Sequence, residues 1–278
     1  MKKTSYFKIG SGSRKGFVSK FQDKELKEII NQNKISKLRN KIITKSSENM
    51  NELIDNCISL TVTSPPYNIG KDSDEDLSDD EYWKMITKVF EEVYRVTESG
   101  GRLVVNVANL GRKPYIPFSK YFIEIILEIG FLMRGEIIWQ KSKGANANFA
   151  WGSWLSPSNP VIRDIHEYCL VFSKDSMKNS AKGEPTIEKE EFMESTLSIW
   201  NITPARAKKI GHPAPFPVEL PKRFINLYSC KNDLILDPFI GSGSTAIAAK
   251  LLDRDYIGYE LNPEYVKIAK NRLKNETS

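Results

Sequence analysis

Leu234-Ile235-Leu236-Asp237-Pro238-Phe239-Ile240-Gly241-Ser242-Gly243-Ser244-Thr245-Ala246 is the stretch that decides the fold class. Three aliphatic residues make a short buried strand, the glycines let the chain turn tightly, and residues 244–252 continue with helical spacing. Residues 255–259 read as a second strand, and Asn262-Pro263 caps and opens a final helix with proline in its first turn. Such a βαβα unit belongs to a mainly parallel sheet covered by helices on both faces. In open α/β sheets, ligands bind outside the carboxyl ends of the strands. Gly241-Ser242-Gly243 lies at such an end.

Upstream, the same alternation recurs. Ile58-Ser59-Leu60-Thr61-Val62-Thr63 is a β-branched apolar run that ends in Ser64-Pro65-Pro66-Tyr67, a strand delivering a loop. Ser78-Asp79-Asp80-Glu81 has the spacing of a capping box. The helix it opens carries Tyr82, Met85, Ile86, Val89, Phe90 and Val93 at three- and four-residue steps, and is expected to stop at Ser99-Gly100-Gly101. Strands are expected over 102–107, 135–140 and 166–172, with a helix over 117–129. Residues 1–40 read as a polar, Lys-rich arm with a short helix around 24–31. Residues 41–278 form the main domain.

The glycine loop admits two ligand classes. Gly241-Ser242-Gly243-Ser244-Thr245-Ala246 matches a dinucleotide fingerprint, with acidic Glu260 at the end of the next strand. A P-loop is excluded, because no lysine follows the glycines in the required place. The flanks point to S-adenosylmethionine: Asp237 supplies a carboxylate suited to an ammonium group, and Phe239 supplies a ring. Glu260 can accept hydrogen bonds from both ribose hydroxyls of either cofactor.

The proline loop suggests the chemistry. An exocyclic base amine is a poor nucleophile because its lone pair is delocalised into the ring. Two acceptors for its N–H groups localise that pair on nitrogen, and the Ser64 hydroxyl and the Pro65 carbonyl are such acceptors. Pro65 and Pro66 pre-organise the loop. Tyr67 offers a ring face for an extruded base, a contact worth roughly 1–3 kcal/mol.

These two loops together resemble the DNA amino-methyltransferases. Thr63-Ser64-Pro65-Pro66-Tyr67 is similar to their catalytic motif, and Asp237-Pro238-Phe239-Ile240-Gly241-Ser242-Gly243 to their cofactor motif. The order, catalytic loop first, resembles the beta group. Residues 91–107, His166-Glu167-Tyr168-Cys169-Leu170-Val171-Phe172-Ser173-Lys174 and Gly211-His212-Pro213-Ala214-Pro215-Phe216-Pro217 extend the similarity over most of 58–275. Ile42-Ile43-Thr44-Lys45-Ser46-Ser47 departs from it, lacking the Gly-Asp that relatives often carry there.

The resemblance implies a seven-stranded methyltransferase sheet with permuted motif order. It implies S-adenosylmethionine as cofactor, held by Asp237, Phe239, Gly241, Gly243, Ser244, Thr245 and Glu260. It implies duplex DNA as partner, with catalysis by Ser64, Pro65, Pro66 and Tyr67. In this family the Ser-Pro-Pro-Tyr form goes mostly with N4 of cytosine and Asp-Pro-Pro-Tyr with N6 of adenine. Cytosine is therefore the first reading and adenine the alternative. A restriction-modification role, with a cognate endonuclease acting on the same site, also follows from the resemblance.

Composition is consistent with these expectations. The 278 residues carry 41 basic and 35 acidic side chains, a net charge of +6 that suits a phosphate-rich partner. No apolar run is long enough to span a membrane, so a cytoplasmic protein is expected. Cys57, Cys169 and Cys230 are too scattered for a disulfide framework or a zinc site, and none follows a proline as a C5-cytosine nucleophile requires. Segments 141–165 and 173–210 are expected to carry target recognition. Trp139, Trp151 and Trp154 are expected either to touch DNA or to cover the core. Asn146, Asn148, Ser153 and Arg163 are candidate base readers. His212 is a candidate for lining the cofactor site, and His166 is read as structural.

Overall fold

The computed structural model describes residues 37–68, 77–110, 114–141, 152–179, 183–211 and 215–277. The expected helix at 24–31 and almost all of the N-terminal arm lie outside these residues, as do Trp151, Asn146, Asn148 and His212. The strands are β1 (Lys41–Thr44), β2 (Ile58–Thr63), β3 (Thr97–Val107), β4 (Leu132–Gln140), β5 (His166–Ser173), β6 (Ile199–Asn201), β7 (Leu234–Asp237) and β8 (Asp255–Glu260). The helices are α1 (Asp79–Val96), α2 (Phe118–Ile129), α3 (Lys189–Ser195), α4 (Ala207–Ile210), α5 (Glu219–Tyr228), α6 (Ser244–Leu251) and α7 (Pro263–Glu276).

The strands form one sheet in the order β1-β8-β7-β2-β3-β5-β4-β6. Only the β3–β5 and β5–β4 pairings are antiparallel. Seven strands are thus joined by an eighth, a correction to the expected count. The addition is β6, which pairs in parallel with β4 through Ile138↔Ile199 to Gln140↔Asn201. Three residues carry no periodicity to read. What holds them is Trp200, 1% exposed and packed at 4.5 Å between ring centroids on Phe224 of α5.

Helices α1 and α2 cover one face of the sheet, where Ile86, Phe90, Phe122 and Ile126 meet Leu103, Val105 and Leu170. Helices α5, α6 and α7 cover the other, where Phe224, Ala246, Ile247 and Ala269 meet Leu60, Val62, Val104 and Ile235. Every residue of β2 is buried, as expected for a central parallel strand.

The capping box at Ser78 is formed in both directions with Glu81. Helix α1 ends at Val96, four residues before the first of the glycines expected to stop it. Thr97 already has extended backbone angles, and its hydroxyl donates to the Val93 carbonyl at 2.6 Å. Pairing of Ile58 with Thr97 draws those residues into β3. No helix among the described residues is long and apolar enough to cross a membrane.

Candidate active site

The carboxyl ends of β2 and β7 lie side by side, in register through Leu60↔Ile235 and Thr61↔Leu236. Loops 174 residues apart in sequence are therefore neighbours. The Thr63 hydroxyl donates to Asp237 Oδ1 at 2.7 Å, and the Thr245 hydroxyl donates to Asp237 Oδ2 at 2.7 Å. The Phe239 N–H also reaches Oδ1, at 3.1 Å. Asp237 is 1% exposed, and burial pushes its carboxyl up to about 6 despite these donors. The carboxylate assigned from sequence to an ammonium group is thus engaged inside the protein.

Ser244 and Thr245 are likewise buried. The Ser244 hydroxyl donates to the Phe216 carbonyl at 2.9 Å. Within the loop the Phe239 ring is half-buried, and Gly241, Ser242 and Gly243 of the turn are buried. Gly241 and Gly243 adopt φ of 47° and 85°. The Gly241 N–H donates to Glu260 Oε2 at 3.0 Å, and the Asn262 N–H to Oε1 at 2.8 Å. Each Glu260 oxygen retains acceptor capacity beyond these bonds. Burial raises the Glu260 carboxyl above the ordinary range.

A Cβ at Gly243 would stand 2.9 Å from the Cβ of Ala269, at a φ that side chains rarely adopt. Gly243→Ala is expected to lower stability by roughly 1–3 kcal/mol and to weaken S-adenosylmethionine binding. Thermal melting and calorimetric titration of the cofactor measure both.

The proline loop is fixed from three sides. The Tyr82 hydroxyl donates to the Pro66 carbonyl at 2.7 Å. The Ala108 N–H donates to the Tyr67 hydroxyl at 2.8 Å, and the Ser64 side chain lies beside the Tyr67 phenol. The Tyr67 ring meets Phe118 edge to face at 6.0 Å. Burial, then the nearby Glu167 charge, raises the Tyr67 phenol. It stays a neutral anchor. Pro65 is buried and Ser64 half-buried.

Several sequence candidates lie elsewhere. Trp139 is a core residue, 2% exposed, with its indole N–H on the Ile202 carbonyl at 2.8 Å. Trp154 is 65% exposed. The Ser153 hydroxyl closes a local turn with Ser156 and Asn159. Residues not selected from sequence also reach the site. Asn106 donates to Glu167 at 2.6 Å, and Lys141 forms an ion pair with Glu167. The available signal was strand alternation at the ends of β3 and β5, which places Asn106 and Glu167 on one face. Burial pushes the Cys57 thiol up to about 12 and the Cys169 thiol well above its usual range. Neither supplies a thiolate.

Residues 58–271 match the family profile described as DNA methylase, of the N6/N4 methyltransferase type. The chain belongs to that DNA methylase family. It is 31% identical to the type II methyltransferase M.MthZI of Methanothermobacter thermautotrophicus, over 87% of this chain and 78% of that protein. It is 30% identical to the type II methyltransferase M.BglII of Bacillus subtilis, over 85% and 69% respectively. Among solved structures, TTHA0409 of Thermus thermophilus, described as a DNA modification methylase, superposes with a TM-score of 0.71. That match has 27% identity and covers 85% of this chain and 95% of that one. The same protein solved with S-adenosyl-L-methionine gives 0.68. The cytosine-N4-specific PvuII DNA methyltransferase shares the fold at 0.67, with 21% identity over 85% of this chain and 90% of that one. This DNA methylase is S-adenosylmethionine-dependent, as its family is. The residues present fit that cofactor: a tight glycine turn beside a half-buried carboxylate with acceptor capacity left, next to a ring.

Proposed function

We propose that this DNA methylase transfers a methyl group to N4 of a cytosine extruded from duplex DNA at a specific site. The observation that carries this reading is Ser64, a neutral hydroxyl rather than a carboxylate, at the head of the proline loop and beside Tyr67. S-adenosylmethionine, when bound, supplies an electrophilic methyl group. Phe239, Gly241, Gly243 and Glu260 are assigned to hold it. Asp237, Ser244 and Thr245 are assigned to shape the turn from within.

Ser64 Oγ and the Pro65 carbonyl accept the two N–H groups of the target amine and localise its lone pair. Pro66 keeps the loop extended, and Tyr67 stacks the base. The exposed Trp154, Leu155 and Ile162 lie within 141–165, which together with 173–210 is assigned to target recognition. Type II methyltransferases among the relatives support a restriction-modification role, with an endonuclease that cuts the same sequence.

The test is incubation of unmethylated duplex DNA with labelled S-adenosylmethionine, followed by nucleoside digestion and mass spectrometry. N4-methylcytosine is the expected product. N6-methyladenine would leave the family assignment in place and overturn the base assignment, making the alternative correct.

A further inference from the structure

The ends of four consecutive strands present a polar row of which the catalytic reading uses only the first residue, Ser64. In sheet order β2, β3, β5 and β4 are neighbours. Leu60 and Val62 of β2, Val104 of β3, Cys169 and Val171 of β5, and Ile137 and Trp139 of β4 all face the α5–α6 side. Side chains alternate along a strand, so Ser64, Asn106, Glu167 and Lys141 continue that same face to the site end of the sheet. Contacts join them. Ser64 lies beside Tyr67, the Tyr67 hydroxyl accepts from the Ala108 N–H, and Asn106, two residues before Ala108, donates to Glu167, which is paired with Lys141.

Direction along the sheet matters. The cofactor turn lies on β7 and β8, to one side of β2. A methyl donor there occupies that side of the target amine, so the space for the ring of the base is on the other, over β3, β5 and β4. Successive strands are about 4.8 Å apart, so the base edge next to the amine falls toward Glu167 and Lys141.

The Lys141–Glu167 pair is partly withdrawn from water, with side chains 35% and 12% exposed. A pair so placed gains little stability for its desolvation. Its ammonium has three donors, of which one meets Glu167, while Nζ lies 5.1 Å from the centroid of the Trp139 ring. Among the described residues, Glu167 takes one of these donors and leaves the ammonium further donor capacity.

We infer that Lys141, held by Glu167 and Asn106, reads the Watson–Crick edge of the extruded base and favours cytosine over adenine. Beside its amine, cytosine presents two acceptors in succession, N3 and O2. Adenine presents N1 and then a C–H, which leaves one further donor of the Glu167-paired ammonium without an acceptor. This inference rests on the cytosine reading above and assigns its specificity to named side chains. Asn106 and Glu167 act as positioning residues.

The test uses the full chain, with duplexes carrying the mapped methylation site. The target position holds cytosine, adenine or no base. Methylation rates are measured on the first two, and cofactor-free affinity on all three. Lys141→Met is expected to lower the cytosine rate and the cytosine affinity roughly 10- to 100-fold, with adenine and abasic binding unchanged. Lys141→Arg is expected to keep most of the preference and shows that the site tolerates substitution. A uniform loss across all three duplexes would place Lys141 on a phosphate and overturn the inference, as would no change in the preference. Wild-type protein that methylates only adenine overturns the cytosine reading before any variant is compared. Wild-type production of N4-methylcytosine with an unaffected Lys141→Met variant overturns this inference alone.

Discussion

Ser64→Ala is expected to lower kcat on the order of 10²- to 10³-fold, the scale seen when one pre-organised polar group is removed from a reacting centre, with the cofactor affinity unchanged. The hydroxyl is the side-chain acceptor assigned to the amine in the proline loop, and its neighbour Tyr67 is separately anchored by the Ala108 N–H. Removing it leaves the loop backbone in place, because the Tyr82–Pro66 bond and the Tyr67–Phe118 contact do not involve it. Single-turnover kinetics on a mapped duplex, with calorimetric titration of S-adenosylmethionine alongside, separate the two quantities. A variant that turns over at the wild-type rate would remove Ser64 from the chemistry. A variant that loses cofactor binding as well would make it a structural residue of the turn.

The fold was legible where its determinants are local. The capping box of Ser78 and Glu81 spans one helical turn, Asn262-Pro263 announces α7, and the aliphatic runs of β2 and β7 need no partner to be recognised. Legibility ended where distant contacts decide. Three residues become β6 because Trp200 has a pocket against α5, and α1 ends early because Thr97 has β2 to pair with. The site follows the same division. Both loops were visible as loops, whereas the bond from Asp237 to Thr63 and that from Asn106 to Glu167 cross 174 and 61 residues. A carboxylate beside a glycine turn reads as a ligand group until the threonines that enclose it are seen.

That enclosure gives Asp237 a large expected effect of its own. Asp237→Ala strands the Thr63 hydroxyl and the Phe239 N–H and leaves the Thr245 hydroxyl only the Val62 carbonyl at 3.3 Å. Each buried polar group left unpaired costs about 1–3 kcal/mol, and the costs are not additive. A total of about 3–5 kcal/mol, or on the order of 10 °C in Tm, is expected. Asp237→Asn separates shape from charge, since its amide oxygen can serve Thr63 and Phe239 while its NH₂ meets Thr245 Oγ1. The Thr245 hydroxyl proton then has the Val62 carbonyl, 3.3 Å away, to turn to.

The pH dependence has a definite sign. The carboxyl is at about 6 in the folded protein against a usual value of 3.8. The folded state therefore holds the proton more tightly than the unfolded chain. The stability linked to that proton is fully present below about pH 4 and is lost as pH rises through about 6, a swing of about 3 kcal/mol. Wild type should thus lose stability relative to Asp237→Asn between about pH 4 and pH 6 and run parallel to it above about pH 7. Chemical denaturation of both proteins across that range reads the difference directly. A constant difference would mean that Asp237 is ionised in the fold throughout, its three donors outweighing its burial.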